Sequence, residues 1–183
     1  MTDRLIIALA QLNPTLGAIK DNLARAREAR REAADADLIL FPELFICGYP
    51  PEDLVLRTSF VEACRAAVEE LAKETVTGPA VLIGLPWREG ANLYNSVALL
   101  ANGKIEAVRH KFDLPNYGVF DEKRVFNAGP APGPISFKGV RRVFPSARTS
   151  GRKRPARRWP RRVPKSCSRP TARPSSATRM TCG

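Results

Sequence analysis

The chain has 183 residues and a formal net charge of +12. That charge is not spread evenly: up to Val140 there are 16 Lys and Arg against 18 Asp and Glu, whereas 141–183 holds 14 Lys and Arg and no acid. No apolar run reaches membrane-spanning length, and Cys47, Cys64, Cys167 and Cys182 have neither CxxC spacing nor a nearby histidine. A membrane protein, a zinc domain and a disulfide scaffold are therefore excluded as readings. The N-terminus MTDRLIIALAQL carries no export signal, so a cytoplasmic protein is expected.

In chain order, LIIALAQL (5–12) is a short apolar run bounded by polar residues and predicts a buried strand. Residues 13–17 supply turn chemistry. Residues 20–35 are rich in Ala, Arg and Glu, with Ile19, Leu23, Ala26, Ala29 and Ala33 near helical spacing, which predicts a helix. LILF (38–41) predicts a second buried strand, and 42–53, with three prolines and a glycine, a loop. Residues 59–75 predict a second helix with Phe60, Cys64, Ala67, Val68 and Leu71 on one face. AVLIGL (80–85) predicts a third strand. Residues 94–100 and 105–109 predict a hairpin about Asn102-Gly103. This order indicates an α/β fold with a mixed sheet.

The tail reads differently. Residues 141–183 contain six prolines, no Leu, Ile or Tyr, and only Val143, Phe144, Trp159, Val163 and Met180 as large apolar residues. So little burial cannot offset chain entropy, so disorder is expected there. The expected division is a folded part, 1–140, and a basic tail, 141–183.

Three groups in the folded part suit chemistry. Glu43 ends a strand between apolar neighbours in FPEL, where a carboxylate can serve as general base; an ordinary loop glutamate is the plainer alternative. Lys111 follows a strand and precedes an aromatic-rich segment, where an ammonium can stabilise an oxyanion; a surface lysine is the plainer alternative. Asp121 and Glu122 can position a lysine or a substrate amine, or form a solvated acidic pair beside Lys123 and Arg124.

Taken together, FPELFICGYPPEDLVLR (41–57), GLPWREGANLYNSVALL (84–100) and KFDLPNYGVFDEKRVFNAG (111–129) resemble the nitrilase, or carbon–nitrogen hydrolase, superfamily. GYPPEDL and LPNYGVFDEKR are more narrowly similar to the N-terminal glutaminase domain of glutamine-dependent NAD+ synthetases. The resemblance covers 4–140. It implies an α-β-β-α sandwich and amide hydrolysis by a Glu-Lys-Cys triad. In that reading Glu43 is the general base, Lys111 stabilises the tetrahedral intermediate, and Tyr117 and Glu122 fall in the segment lining the glutamine pocket. It also implies a synthetase domain, normally on the same chain, that uses ATP and Mg, and homo-oligomers in the intact family. No cofactor is expected for the glutaminase part.

The family pattern breaks where the nucleophile belongs. This branch reads close to GVPICEDIW after a strand, whereas the present chain reads RRVFPSARTSG (141–151) with no cysteine before Cys167. Neither Cys167 nor Cys182 has the strand-end, charge-rich setting of a reactive thiolate. Regrouping permitted codons, the last base of each joined to the first two of the next, turns 143–151, with the last base of the Arg142 codon, into GVPICEDIW. The same offset turns the segment from Trp159 onward into a string such as LAETGAEILLAPNGSPFERDKDDV. The expectation is a one-base frameshift near 141–143, an incomplete sheet with an unpaired edge, and a chain that is inert as written. A stand-alone amidase or nitrilase is the first alternative. A nucleic-acid-binding protein with a basic tail is the second, and a selected role of that kind is not expected because the tail has no recognisable motif.

Overall fold

The computed structural model describes residues 5–117, 120–131, 133–138, 140–142 and 177–182, with backbone only for Tyr117, Phe120, 140–142 and 177–182. The elements of the first half are strand β1 (Leu5–Ala10), helix α1 (Ile19–Glu32), β2 (Leu38–Leu40), α2 (Thr58–Lys73), β3 (Ala80–Glu89), β4 (Asn92–Ala101) and β5 (Lys104–His110). Short elements follow: β6 (Asn116–Tyr117), β7 (Phe120–Asp121), α3 (Glu122–Val125), β8 (Ile135–Phe137), β9 (Val140–Arg142) and β10 (Ala177–Cys182).

Six strands form one sheet in the order β10-β1-β2-β3-β4-β5. β1, β2 and β3 run parallel, and the other pairings are antiparallel. The parallel part follows from the strand–helix–strand crossovers through α1 and α2, which hairpins cannot replace. The β4–β5 turn has Asn102 at φ 55° and Gly103 at φ 78°, the left-handed pair that matches the twist of adjoining strands. β3 runs to Glu89, past the apolar 80–85, because 86–89 pair with 92–95 across a second hairpin.

Both helices cover one face. α1 buries Leu23, Ala26 and Ala29, and α2 buries Val61, Cys64, Ala67, Val68, Leu71 and Ala72. These join Ile39, Val81, Ile83, Ala98 and Leu100 in the main core, while alternate residues Leu38, Leu82 and Leu99 point the other way and meet Ile135 of β8. Each large side chain so buried contributes about 2 kcal/mol. Phe60, placed on the inner stripe of α2 by spacing, is only partly buried, and Val61 takes the deeper position. The arrangement is mixed α/β, with one helix layer, one sheet and the start of a second sheet layer in β8–β9, part of the expected sandwich.

The tail departs in part from expectation. β9 crosses the expected boundary at 140, and 177–182 form β10 along all of β1, so these residues are extended and paired. The physical reason is that an unpaired edge offers backbone donors and acceptors to any extended segment in reach. Residues 143–176 and Gly183 lie outside the described residues.

Candidate active site

Glu43 sits just beyond the end of β2, the central parallel strand, in a turn that folds back over β3. Leu44 takes φ 50° and is fully buried. Its carbonyl accepts from the Cys47 and Gly48 N–H groups at 3.1 and 2.9 Å. The Ile46 N–H donates to the Gly84 carbonyl at 3.2 Å. The backbones approach so closely that a Cβ on Gly84 would lie 2.3 Å from Leu44 N and 2.8 Å from Pro42 O. Only glycine admits this contact. From α1, fully buried Asn22 closes the other side: its amide donates to the carbonyls of Thr15 (2.8 Å) and Ile46 (3.2 Å) and accepts from the Thr15 N–H (2.9 Å).

Lys111 comes from the end of β5. Its N–H donates to the Asn95 carbonyl at 2.8 Å, extending the β4–β5 ladder, and its carbonyl accepts from Gly129 at 2.9 Å. Glu122 opens α3. Lys111, 3% exposed, directs Nζ to Glu43 Oε1 at 2.6 Å and to Glu122 Oε1 at 2.8 Å. Asn95 Nδ2 donates to Glu43 Oε1 at 2.6 Å and lies 3.5 Å from Glu122 Oε2. The Tyr49 hydroxyl donates to Glu122 Oε1 at 3.4 Å. Two carboxylates, one from the turn after β2 and one from α3, thus meet on one ammonium, with Asn95 of β4 and Tyr49 bonded to the carboxylates. The two carboxylates differ in setting: the Glu122 side chain is 7% exposed and that of Glu43 28%. A buried charge demands such partners. Glu43 keeps an open side toward solvent and can take a proton there, whereas Glu122 is enclosed and suited to holding the lysine.

The structure therefore brings Glu43, Lys111 and Glu122 together. Tyr117 lies in β6, its backbone paired with Phe120, and its side chain is outside the described residues. Asp121 does not join the cluster; it pairs with Arg124 at 3.0 Å on the surface. Asn95 and Tyr49 were not singled out by sequence. Asn95 carried a usable signal, one of two adjacent polar side chains (with Ser96) in the mainly apolar strand LYNSVALL, and it ends up 3% exposed.

Cys47, four positions after Glu43, does not stand in for the missing nucleophile. It is fully buried, its thiol donates to the carbonyls of Leu44 and Gly48, and a hydrogen bond with Cys64 together with burial pushes it well above the usual thiol range. A nucleophile needs the opposite shift. Among the described residues no cluster of His, Cys, Asp and Glu is arranged to hold a metal, and no helix is long and apolar enough to cross a membrane.

The carbon-nitrogen hydrolase family profile matches residues 6–149. The glutamine-dependent NAD(+) synthetase of Thermotoga maritima is 49% identical over 129 residues, 69% of this chain and 22% of that protein. The Rhodobacter capsulatus synthetase is 44% identical over 137 residues, 74% of this chain and 25% of that protein. Among solved structures, the glutamine-dependent NAD+ synthetase of Acinetobacter baumannii in complex with ADP is 37% identical with a TM-score of 0.71, covering 76% of this chain and 27% of that one. A variant of the Nesterenkonia amidase, with the acetamide moiety of fluoroacetamide added covalently at its active-site cysteine, is 29% identical with a TM-score of 0.64, covering 75% and 53%. The chain spans about a quarter of the length of the curated relatives it matches. With a buried Glu-Lys-Glu cluster and a family match over most of its length, the chain belongs to the carbon–nitrogen hydrolases.

Proposed function

We propose that residues 4–140 are the N-terminal part of a glutaminase domain that supplies ammonia to a glutamine-dependent NAD+ synthetase. The observation that carries this is Lys111, buried and shared between Glu43 and Glu122. Amide hydrolysis through a thiol needs a base and an oxyanion partner, and the adjacent Glu43 and Lys111 suit those two roles.

In this reading a cysteine thiol gives its proton to Glu43, and the thiolate adds to the carboxamide carbon of glutamine. The Lys111 ammonium stabilises the oxyanion by charge and hydrogen bonding. As the tetrahedral intermediate collapses, the C–N bond breaks and the Glu43 proton leaves with ammonia. Glu43 then takes a proton from water, whose oxygen attacks the thioester to release glutamate and return the thiol. Glu122 and Asn95 hold Lys111 and Glu43 in register, and Tyr117 belongs to the segment flanking the substrate. ATP and Mg serve a synthetase domain outside this sequence, and no residue of this chain is assigned to them. A cytoplasmic setting and a homo-oligomeric intact enzyme accompany the reading.

The chain as written lacks the thiol. A one-base frameshift near 141–143 would account for this, since codons permitted for this sequence include a set that spells GVPICEDIW in an offset frame. A stand-alone amidase is the weaker fit: the amidase similarity is 29% identical, the synthetase similarities up to 49%.

The test is to restore the frame, express the product with its downstream continuation and assay glutamine. Release of glutamate and ammonia is expected. Cys→Ala at the recovered nucleophile should abolish glutamine use and leave ammonia-dependent NAD+ synthesis. Loss of both activities contradicts an independent glutaminase site.

A further inference from the structure

We infer that His110 is a positioning residue for the glutaminase chemistry: from the reverse face of the sheet, its bond to Ser96 fixes the strand ends that carry Asn95 and Lys111. This role rests on the reading of Glu43 and Lys111 as base and oxyanion partner. Side chains alternate along a strand, so Ser96 and His110 point to the helix-covered face with Ala98 and Leu100, while Asn95 and Lys111 point to the site. His110 therefore acts on the site through the backbone of its neighbour. The Lys111 N–H donates to the Asn95 carbonyl at 2.8 Å, so a backbone bond joins 95 to 111. By the alternation of an antiparallel ladder, Ser96 and His110 then form a pair without backbone bonds between them. At this gap Ser96 Oγ and His110 Nδ1 stand 2.8 Å apart, a side-chain link where the ladder supplies none.

The imidazole is itself clamped. Its ring stacks on Tyr94, with centroids 4.2 Å apart and planes at 15°. Nε2 lies 3.3 Å from Glu89 Oε1, which also accepts from Trp87 Nε1 at 3.1 Å. Gly129 packs so closely that an added Cβ would lie 2.4 Å from His110 Cβ, and the Gly129 N–H donates to the Lys111 carbonyl at 2.9 Å. One imidazole thus ties the ends of β3, β4 and β5 to the segment that follows α3, the helix opened by Glu122. A carboxylate only accepts, which favours the ring proton on Nε2 and leaves Nδ1 to accept from the Ser96 hydroxyl. Ser96 is 4% exposed, so its hydroxyl needs this partner, and a satisfied buried polar link is rigid.

The experiment is proton exchange of the Lys111 ammonium, followed by NMR on the full chain, a readout that needs no nucleophile. In the parent this ammonium is expected to exchange far more slowly than surface lysines. Ser96→Ala deletes only the hydroxyl, and His110→Phe keeps a ring but loses both polar contacts. His110→Asn keeps a polar atom at the place of Nδ1, and His110→Gln one at the place of Nε2. Exchange is expected to accelerate by more than about tenfold in Ser96→Ala, His110→Phe and His110→Gln, and to stay within about threefold of the parent in His110→Asn. Ser96→Ala combined with His110→Phe is expected to be no faster than either alone, since both break one link. Ser96→Ala, which leaves the ring in place, decides the outcome where a His110 variant fails to fold. A parent whose Lys111 exchanges like a surface lysine overturns both the positioning role and the reading of the site beneath it. Slow exchange in the parent with Ser96→Ala unchanged overturns the positioning role alone, even where urea stability falls. Acceleration in His110→Asn equal to that in His110→Phe also overturns it, since packing rather than the Ser96 bond is then the cause.

Discussion

Lys111 is only 3% exposed and has a carboxylate on either side, so removing its charge leaves Glu43 and Glu122 facing each other with the neutral donors Asn95 and Tyr49 beside them. Breaking a buried pair by deleting one partner costs about 3–5 kcal/mol. Lys111→Met is therefore expected to lower the stability of the chain by that amount in urea unfolding at neutral pH. An unchanged midpoint would mean that the lysine is not held as described. The sequence disclosed Glu43, Lys111 and Glu122 because each stands in a segment with a strong family likeness. It did not disclose Asn95 or Tyr49. Their roles depend on which segments meet, and neither a polar residue in a mainly apolar strand nor a tyrosine in a loop says what it faces.

At the scale of elements, the turn carrying Glu43 and the strand leading to it each have a support that can be tested separately. The first is Gly84, where any side chain collides with backbone atoms of the turn rather than with a movable side chain. Gly84→Ala is expected to destabilise the chain by about 3 kcal/mol. Gly133→Ala, where an added Cβ meets nothing within 4 Å, is expected to stay within about 0.5 kcal/mol. Equal effects in chemical denaturation would remove the steric argument. The second support is Asp37, which joins β1 to β2. Burial raises its pKa, but the Lys138 ammonium and the Ile6 N–H outweigh this and hold it below the ordinary aspartate value. The folded state therefore binds fewer protons than the unfolded state near that value. Stability from Asp37 is present above the unfolded pKa and lost as pH falls through the folded one. Asp37→Asn is expected to cost about 1 kcal/mol at pH 7, with the difference vanishing in acid. A constant difference across the pH series would assign the effect to packing.

Elements with a clear period were legible. β1, α1, β2, α2 and the β4–β5 hairpin fall within a few residues of their predicted ranges. β3 was cut short at Leu85 because Pro86-Trp87-Arg88-Glu89 lacks an apolar period and is extended by its hairpin partner. The strands β6 to β9, two or three residues each, have no period to read. β10 was hidden because composition argues for disorder while an open edge supplies partners that composition does not record.

For the molecule as a whole, the proposed frameshift would account for both the charge break and the absence of a cysteine between Cys64 and Cys167. The described core is one face of a sheet covered by two helices, with the other face meeting only the beginning of a second layer through Ile135 and Phe137. A basic, acid-free tail beginning within a few residues of the expected nucleophile is what a shifted frame produces. The nucleotide sequence across codons 139–152, determined independently from genomic DNA, tests this directly. The account predicts that one offset frame spells Gly-Val-Pro-Ile-Cys-Glu-Asp-Ile-Trp and stays open downstream with hydrolase-like sequence. A verified sequence whose codons exclude that string in every frame would contradict it.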